Sequence, residues 1–189
     1  MKKGFADFLE MNVSMEDHRY FEDRVAGSCW MPEQEYTPGG WGYVGGKAYR
    51  RSGRKTMIIG TDSDIIGTDN DPLFQTQRIG MEAFKADLPD GEYYVYLDFA
   101  ELFVPKTAVY AENLGMDNKG EKSVSRVFSV DINGRRMLQS FNIRKEYGAE
   151  RAVEKRFKVV VRDGQGLTVS FIPEEAQPVL NAIRIYKSI

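Results

Sequence analysis

The chain has 189 residues and a formal net charge of −2, from 26 Lys and Arg against 28 Asp and Glu. Because this balance leaves no basic patch for nucleic acid or anionic lipid, neither is expected as a partner. The hydrophobic fraction of 42% is typical of a globular protein, and a chain of 189 residues is long enough to form a single core. The sequence also lacks the run of about 18 apolar residues that a membrane helix requires.

The start of the chain is expected to lie outside the folded domain. Residues 1–10 are interpreted as a linker or a non-native end, because Asp7 and Glu10 interrupt the apolar core that a signal peptide needs. Residues 11–189 are expected to form one domain. Cys29 is the only cysteine, so an internal disulfide is excluded.

Several turn signals along the chain predict antiparallel β-structure. Three dipeptides favour tight hairpin turns and are flanked by apolar or β-branched residues: Asp90-Gly91, Asn133-Gly134 and Asp163-Gly164. At the third turn, we expect Phe157 to Val161 to pair with Leu167 to Ile172.

The remaining elements are also mostly strands. Glu92 to Phe103 is dense in aromatic and branched residues and predicts a core strand, and Gly67 to Pro72 predicts a loop that can carry binding groups. One helical turn is expected around Arg144 to Tyr147, ended by Gly148. Pro178 to Tyr186 predicts a final strand. About ten short strands with at most one or two helical turns favour a mostly antiparallel jelly-roll β-sandwich.

Large aromatic rings cluster in a segment that is rich in glycine and proline. These rings belong to Trp30, Tyr36, Trp41 and Tyr43. A segment of this composition cannot form a regular helix, so the rings are candidates for contact with a ligand. The alternative is that they cap the core, as buried Trp and Tyr residues often do.

Groups that could support catalysis are few. His18 is the only histidine, and with Cys29 it builds neither a catalytic triad nor a zinc site. Paired carboxylates for glycoside hydrolysis are the remaining option, and Asp98 and Glu101 are the best placed. Because both end an apolar strand, we expect them to form an internal ion pair with Arg78 instead.

Four aspartates raise the question of a bound cation. They do not follow the spacing of an EF-hand, and we expect their carboxylates to accept hydrogen bonds from turn amides. A weak structural calcium site is the alternative, and no other cofactor is expected. The four residues are Asp62, Asp64, Asp69 and Asp71.

Five stretches of the sequence resemble a known family. They are WGYVGG at 41–46, GTDNDPLFQTQRIG at 67–80, PDGEYYVYLDFAEL at 89–102, VFSVDINGRRM at 127–137 and PVLNAIRIY at 178–186. Together they resemble a malectin domain, most closely the malectin-like modules near the C-terminus of bacterial glycoside hydrolase family 2 enzymes of the β-galactosidase type. This resemblance implies a jelly-roll β-sandwich that binds carbohydrate without cleaving it.

The resemblance also implies a sugar site built from aromatic side chains on several loops. Tyr43 stands where one of the family's tyrosines is expected, and Phe103 keeps an aromatic residue. Ile79 and Val104 replace rings, and Gln177 stands near a position where an acidic residue is expected. These departures argue against the family's diglucoside as the ligand.

The predicted carbohydrate site therefore consists of Trp41, Tyr43, Phe74, Gln77 and Phe103. For Trp41, Phe74 and Gln77, a place in the core is the alternative. We expect a non-catalytic module of a larger secreted bacterial glycoside hydrolase, in the periplasm or at the cell surface. Its expected partners are a glucoside or galactoside and the parent's catalytic domain. The alternative is a structural module that packs on the catalytic domain without binding sugar.

Overall fold

The structure, a computed structural model, describes residues 10–15, 21–23, 27–52, 57–102 and 126–188. Most of this described part is β-strand, and its two helices are each about one turn long. The prediction of an all-β sandwich with at most two helical turns is confirmed. Neither of the described helices has the length and apolar character needed to cross a membrane.

The first sheet contains six strands. In spatial order they are β11 (Val153–Val161), β8 (Gly91–Phe99), β14 (Ala182–Lys187), β1 (Glu10–Ser14), β3 (Ser28–Pro32) and β2 (Phe21–Asp23). All neighbours pair in antiparallel fashion except β1 and β3, which are parallel. The predicted core strand beginning near Glu92 thus lies inside this sheet, as β8.

The second sheet faces the first. Its strands are β10 (Arg135–Phe141), β9 (Val127–Ile132), β12 (Leu167–Glu175), β7 (Arg78–Ala86) and β13 (Val179–Leu180), and β4 (Trp41–Ala48) also pairs with β7. Four further elements complete the description. They are the separate pair β5 (Arg50–Ser52) and β6 (Met57–Ile59), and the helices α1 (Asp71–Phe74) and α2 (Ile143–Tyr147).

The core lies between the two sheets. On β8 every second side chain, from Tyr93 to Phe99, is buried in it, because successive side chains of a strand point to opposite faces. The Phe99 ring packs against Phe141 at 5.4 Å between centroids, and Phe128 packs against Phe141 at 5.6 Å. Both contacts are edge-to-face, the arrangement that aromatic pairs prefer.

The hairpin at Asn133-Gly134 is confirmed. Arg135 on β10 pairs directly with Ile132 on β9, so the loop between them has two residues. Its backbone φ angles are 48° at Asn133 and 76° at Gly134, and the type I′ turn requires positive values at both positions.

The other two predicted hairpins are wrong. Strand β11 pairs with β8 in the first sheet, whereas β12 pairs with β7 and β9 in the second. The Asp163-Gly164 turn therefore carries the chain across the sandwich, and Asp90-Gly91 does the same between β7 and β8. The Asp90 carboxylate accepts hydrogen bonds from the backbone N–H groups of Asp163, at 3.0 Å, and Gly164, at 2.9 Å. Each Asp-Gly pair marks a sharp reversal, but the turn alone does not decide which sheet the next strand joins.

The final stretch also crosses between the sheets. Pro178 to Tyr186 was predicted as one strand, but β13 lies in the second sheet and β14 in the first. Asn181 occupies the crossing point and is completely buried.

The predicted helical turn is confirmed as α2. The Asn142 side chain accepts a hydrogen bond from the Lys145 N–H at its start, and Gly148 follows at its end.

Candidate functional site

The structure does not bring the five predicted carbohydrate-binding residues together. Trp41 and Tyr43 lie on β4 in the second sheet, whereas Phe74 is buried at the end of α1 in a separate apolar cluster. The Gln77 side chain is completely buried, which places it out of reach of a ligand. Phe103 lies outside the described residues. The predicted set therefore divides between two regions and the interior.

The first region is the edge around Trp41 and Tyr43. Both side chains are half-buried, and Trp41 packs on Phe84 with 6.2 Å between ring centroids. The intervening Gly42 has a φ of 151°, and a Cβ atom built there would lie 2.3 Å from the backbone oxygen of Gln34. Only glycine lets the neighbouring segment approach β4 this closely.

One face of the Tyr43 ring is covered by a buried cation. The guanidinium carbon of Arg78 lies 3.4 Å from the ring centroid. Arg78 also donates two hydrogen bonds to Glu33, from Nε at 2.8 Å and from Nη2 at 2.7 Å. This bidentate pair fixes the guanidinium, and through the cation–π contact it fixes the ring.

The prediction that Arg78 pairs with Asp98 or Glu101 is wrong in its partners. All three charges are buried and paired, but Asp98 pairs with Arg184 at 3.1 Å, and Glu101 pairs with Arg126 at 2.9 Å. The physical reason is strand alternation. Asp98 points away from the core side of β8, toward the outer face of the first sheet, whereas Arg78 belongs to the second sheet.

The second region is a cavity of about 510 Å³ that we call the Trp30 pocket. It lies on the outer face of the first sheet, where Asp98, Glu154 and Arg184 alternate with residues that face the core. Trp30 and Phe74 are among its apolar lining residues, and the segment from Gly67 to Phe74 forms one side. The acidic loop singled out in the sequence thus borders a pocket.

A charge network lines this pocket. Arg184 donates from Nε to Asp98 at 3.2 Å and from Nη2 to Asp98 at 3.1 Å, and Nη2 also contacts Glu154. The Asp98 carboxyl is 1% exposed. Burial raises the pKa of Asp98 from its ordinary value of 3.8 to about 6, although the charge of Arg184 opposes the shift.

The raised pKa gives a prediction about stability and pH. The folded protein binds the Asp98 proton more tightly than the unfolded chain does. Protonated Asp98 therefore makes its full contribution to the free energy of unfolding below about pH 4, and this contribution is lost as pH rises through about 6. The free energy of unfolding of the wild type, minus that of Asp98→Asn, should fall by at most about 3 kcal/mol between pH 4 and pH 7.5. Urea denaturation of both proteins measures this difference. A difference that rises with pH, or stays constant, would contradict the account.

Sequence reasoning missed most of the pocket. Trp30 was identified only as one of several rings, and neither Glu154 nor Arg184 carried a local signal. Glu154 lies directly opposite Asp98 in the pairing of β11 with β8. The pairing predicted for β11 was wrong, so this neighbour could not be found from the sequence.

One of the aspartates considered for calcium has a structural role in the described part of the chain. Asp71 accepts a hydrogen bond from the Ile65 N–H, as expected for a turn carboxylate. Within the described ranges, no group of three or more His, Cys, Asp or Glu side chains suits a metal ion.

Comparisons with known proteins agree with the observed fold. The family model described as malectin domain matches residues 12–183. A search of the curated proteins gave no match. Among the solved structures, Bacteroides uniformis β-glucuronidase 2 bound to cyclophellitol-6-carboxylate aziridine is similar, with a TM-score of 0.77 and 25% identity. The match covers 98% of this chain and 18% of that chain.

Two further structures extend the comparison. A crystal structure of Bacteroides uniformis β-glucuronidase has a TM-score of 0.76 and 26% identity, covering 95% of this chain and 18% of that one. The ANX2 ectodomain from Arabidopsis thaliana has a TM-score of 0.65 and 14% identity, covering 95% of this chain and 42% of that one. The latter shows likeness in fold alone. The chain thus spans less than a fifth of the length of the β-glucuronidases.

Proposed function

The chain belongs to the malectin domain family, and from that premise we propose that it is a carbohydrate-binding module of a larger glycoside hydrolase. Malectin domains are carbohydrate-binding modules rather than catalytic ones. The observation that carries the proposal is the family match over residues 12–183, which is nearly the whole chain. The sugar it binds is a glucoside or a galactoside.

The proposed parent is a secreted bacterial enzyme of glycoside hydrolase family 2, of the β-galactosidase type. Similarity over a part of the Bacteroides uniformis β-glucuronidases supports a place inside such an enzyme. In this setting the module packs against or beside the catalytic domain, in the periplasm or at the cell surface. Malectin-like domains are typically extracellular, which agrees with that location.

We place the family's type of site at the β4 edge, with Tyr43 as its main contact and Trp41 as its neighbour on the same strand. A sugar ring presents apolar C–H groups that can pack on an aromatic face. Tyr43 is suited to this role because Arg78 and Glu33 hold its ring in position while part of it stays exposed. A ring fixed before binding loses little conformational freedom when the sugar arrives.

Calorimetric titration of Tyr43 variants tests this site. Tyr43→Ala should weaken binding to the best glycoside of a panel by about tenfold, the loss expected for one aromatic contact. Tyr43→Phe keeps the ring and should bind within about threefold of the wild type. Tyr147→Ala, on α2, is the matched control and should not change affinity. Equal affinity of Tyr43→Ala and the wild type would remove Tyr43 from the site.

A structural module is the second candidate. The observation that favours it is that Arg78 covers one face of the Tyr43 ring, so the ring also packs within the fold. In this case the sandwich spaces or supports the catalytic domain and binds no sugar. A broad panel of β-galactosides, glucosides and plant polysaccharides that gives no heat of binding would support it.

A further inference from the structure

The Trp30 pocket contains an aromatic residue with an unused hydrogen-bond donor. Trp30 is 2% exposed, and its indole Nε1 has no hydrogen-bond partner in the described part of the chain. Because a buried N–H group without a partner is unfavourable, it marks a position where an acceptor atom of a ligand would be stabilised. Trp30 is one of the residues that line the cavity, so a small shift of its ring on binding would bring this buried N–H group within reach of the ligand.

Three carboxylates, of Asp23, Asp98 and Glu154, belong to the polar lining. The carboxylates of Asp98 and Glu154 are held in place by Arg184, and Asp23 accepts a hydrogen bond from Asn70. Ionised carboxylates only accept hydrogen bonds. The pocket therefore favours a ligand that has several hydroxyl donors and at least one acceptor.

The charges in the pocket disfavour an anion. Three carboxylates line it, against the single guanidinium of Arg184. Arg184 already uses Nε and Nη2 on Asp98 and Glu154, so its charge is largely neutralised by them. Arg151 is also near, with Nη1 3.9 Å from where a Cβ atom on Gly67 would lie, but the carboxylates still outnumber the cations.

We propose that the Trp30 pocket is a second binding site of this module, for a neutral sugar ring. Its hydroxyl groups donate to Asp98 and Glu154, and a ring or hydroxyl oxygen accepts from the Trp30 N–H. A cavity of about 510 Å³ is within the range of small-ligand sites and holds about one or two sugar rings. The pocket lies on the first sheet, whereas Tyr43 lies on the second. The proposal rests on the proposed function only for its choice of sugar as the ligand.

The test uses the fluorescence of Trp30. The chain has 2 tryptophans, so Trp41→Phe leaves Trp30 as the only reporter and removes the signal from the β4 edge. This variant is titrated with methyl β-glucoside, methyl β-galactoside and methyl β-glucuronide. We expect saturable changes with a neutral glycoside, and binding of the glucuronide weaker by about tenfold or more.

Two charge variants distinguish the effect of the pocket carboxylates on glucuronide affinity from the effect of the protein's net charge. Glu154→Gln removes one carboxylate at the pocket and should bring the glucuronide to within about threefold of the neutral glycoside. Glu175→Gln, on the second sheet, removes the same charge elsewhere and should leave the ratio unchanged. Equal shifts in both variants would contradict a role for the pocket carboxylates.

The outcomes distinguish this proposal from the proposed function. Glucuronide binding as tight as that of the neutral glycosides overturns the ligand class. Calorimetric binding that is lost in Tyr43→Ala, with no change in Trp30 fluorescence, overturns the second site and leaves the proposed function intact. If no sugar changes the Trp30 fluorescence or gives a heat of binding, the second site and the proposed function are both overturned.

Discussion

Replacing Asn181 with alanine is expected to lower the free energy of unfolding by about 4 kcal/mol, because it removes the partner of two buried backbone groups and one part-buried group. The Asn181 Oδ1 accepts from the Ala100 N–H at 2.7 Å. Its Nδ2 donates to the backbone oxygens of Phe74, at 2.8 Å, and Thr76, at 2.7 Å. One side chain therefore joins the end of β8, the segment after α1 and the crossing between β13 and β14.

Chemical denaturation with urea measures this loss. Asn142→Ala is a suitable control, since it removes the cap of α2 and should lower stability by only about 1 kcal/mol. A loss of about 1 kcal/mol or less for Asn181→Ala as well would mean that the crossing does not depend on this side chain.

The second large effect is expected for Glu33→Ala, at about 3 kcal/mol or more. The side chains of Arg78 and Glu33 are 6% and 2% exposed, so the substitution leaves a buried guanidinium without its bidentate carboxylate. Because Arg78 also contacts the Tyr43 ring, a change in the near-ultraviolet circular dichroism of the tyrosines is expected with the loss of stability.

An exposed ion pair of the same fold is the matched control. Lys158 and Glu92 lie 2.8 Å apart with side chains 51% and 50% exposed. Removing Glu92 with an alanine substitution should lower the free energy of unfolding far less than Glu33→Ala does, since water screens the exposed pair. Similar losses for Glu33→Ala and Glu92→Ala would contradict the burial of the Arg78 pair.

The features that sequence predicts correctly are local ones. The Asn133-Gly134 hairpin and the α2 turn depend on backbone angles and caps that neighbouring residues set by themselves. The β8 strand follows from its density of aromatic and branched residues. These signals identify strands, turns and fold class without reference to distant residues.

The errors concern contacts between distant parts of the chain. Asp163-Gly164 has the same positive φ angles as a hairpin, at 55° and 64°, yet its flanking strands join different sheets. Arg78 is buried and paired, but its partner Glu33 lies 45 positions away in an irregular segment, whereas the sequence predicts Asp98 or Glu101. Neither outcome is encoded in a short window of sequence.

The same contrast between local signals and distant contacts applies to the two candidate binding regions. Resemblance to the family predicts Tyr43 as a sugar contact, whereas the Trp30 pocket depends on β11, β8 and β14 lying side by side, with β3 in the same sheet beyond β1. Its main polar residues come from separate strands, and only the sheet order brings them together. Sequence therefore predicted the kind of module better than the location of its pocket.

Calorimetric titration of the chain with neutral glucosides and galactosides tests the central claim most directly. The account predicts saturable heat with at least one glycoside, and a second binding event in the same titration because the β4 edge and the Trp30 pocket lie on different sheets. The absence of heat with every glycoside, from protein shown to be folded by circular dichroism, would contradict the claim that this module binds carbohydrate.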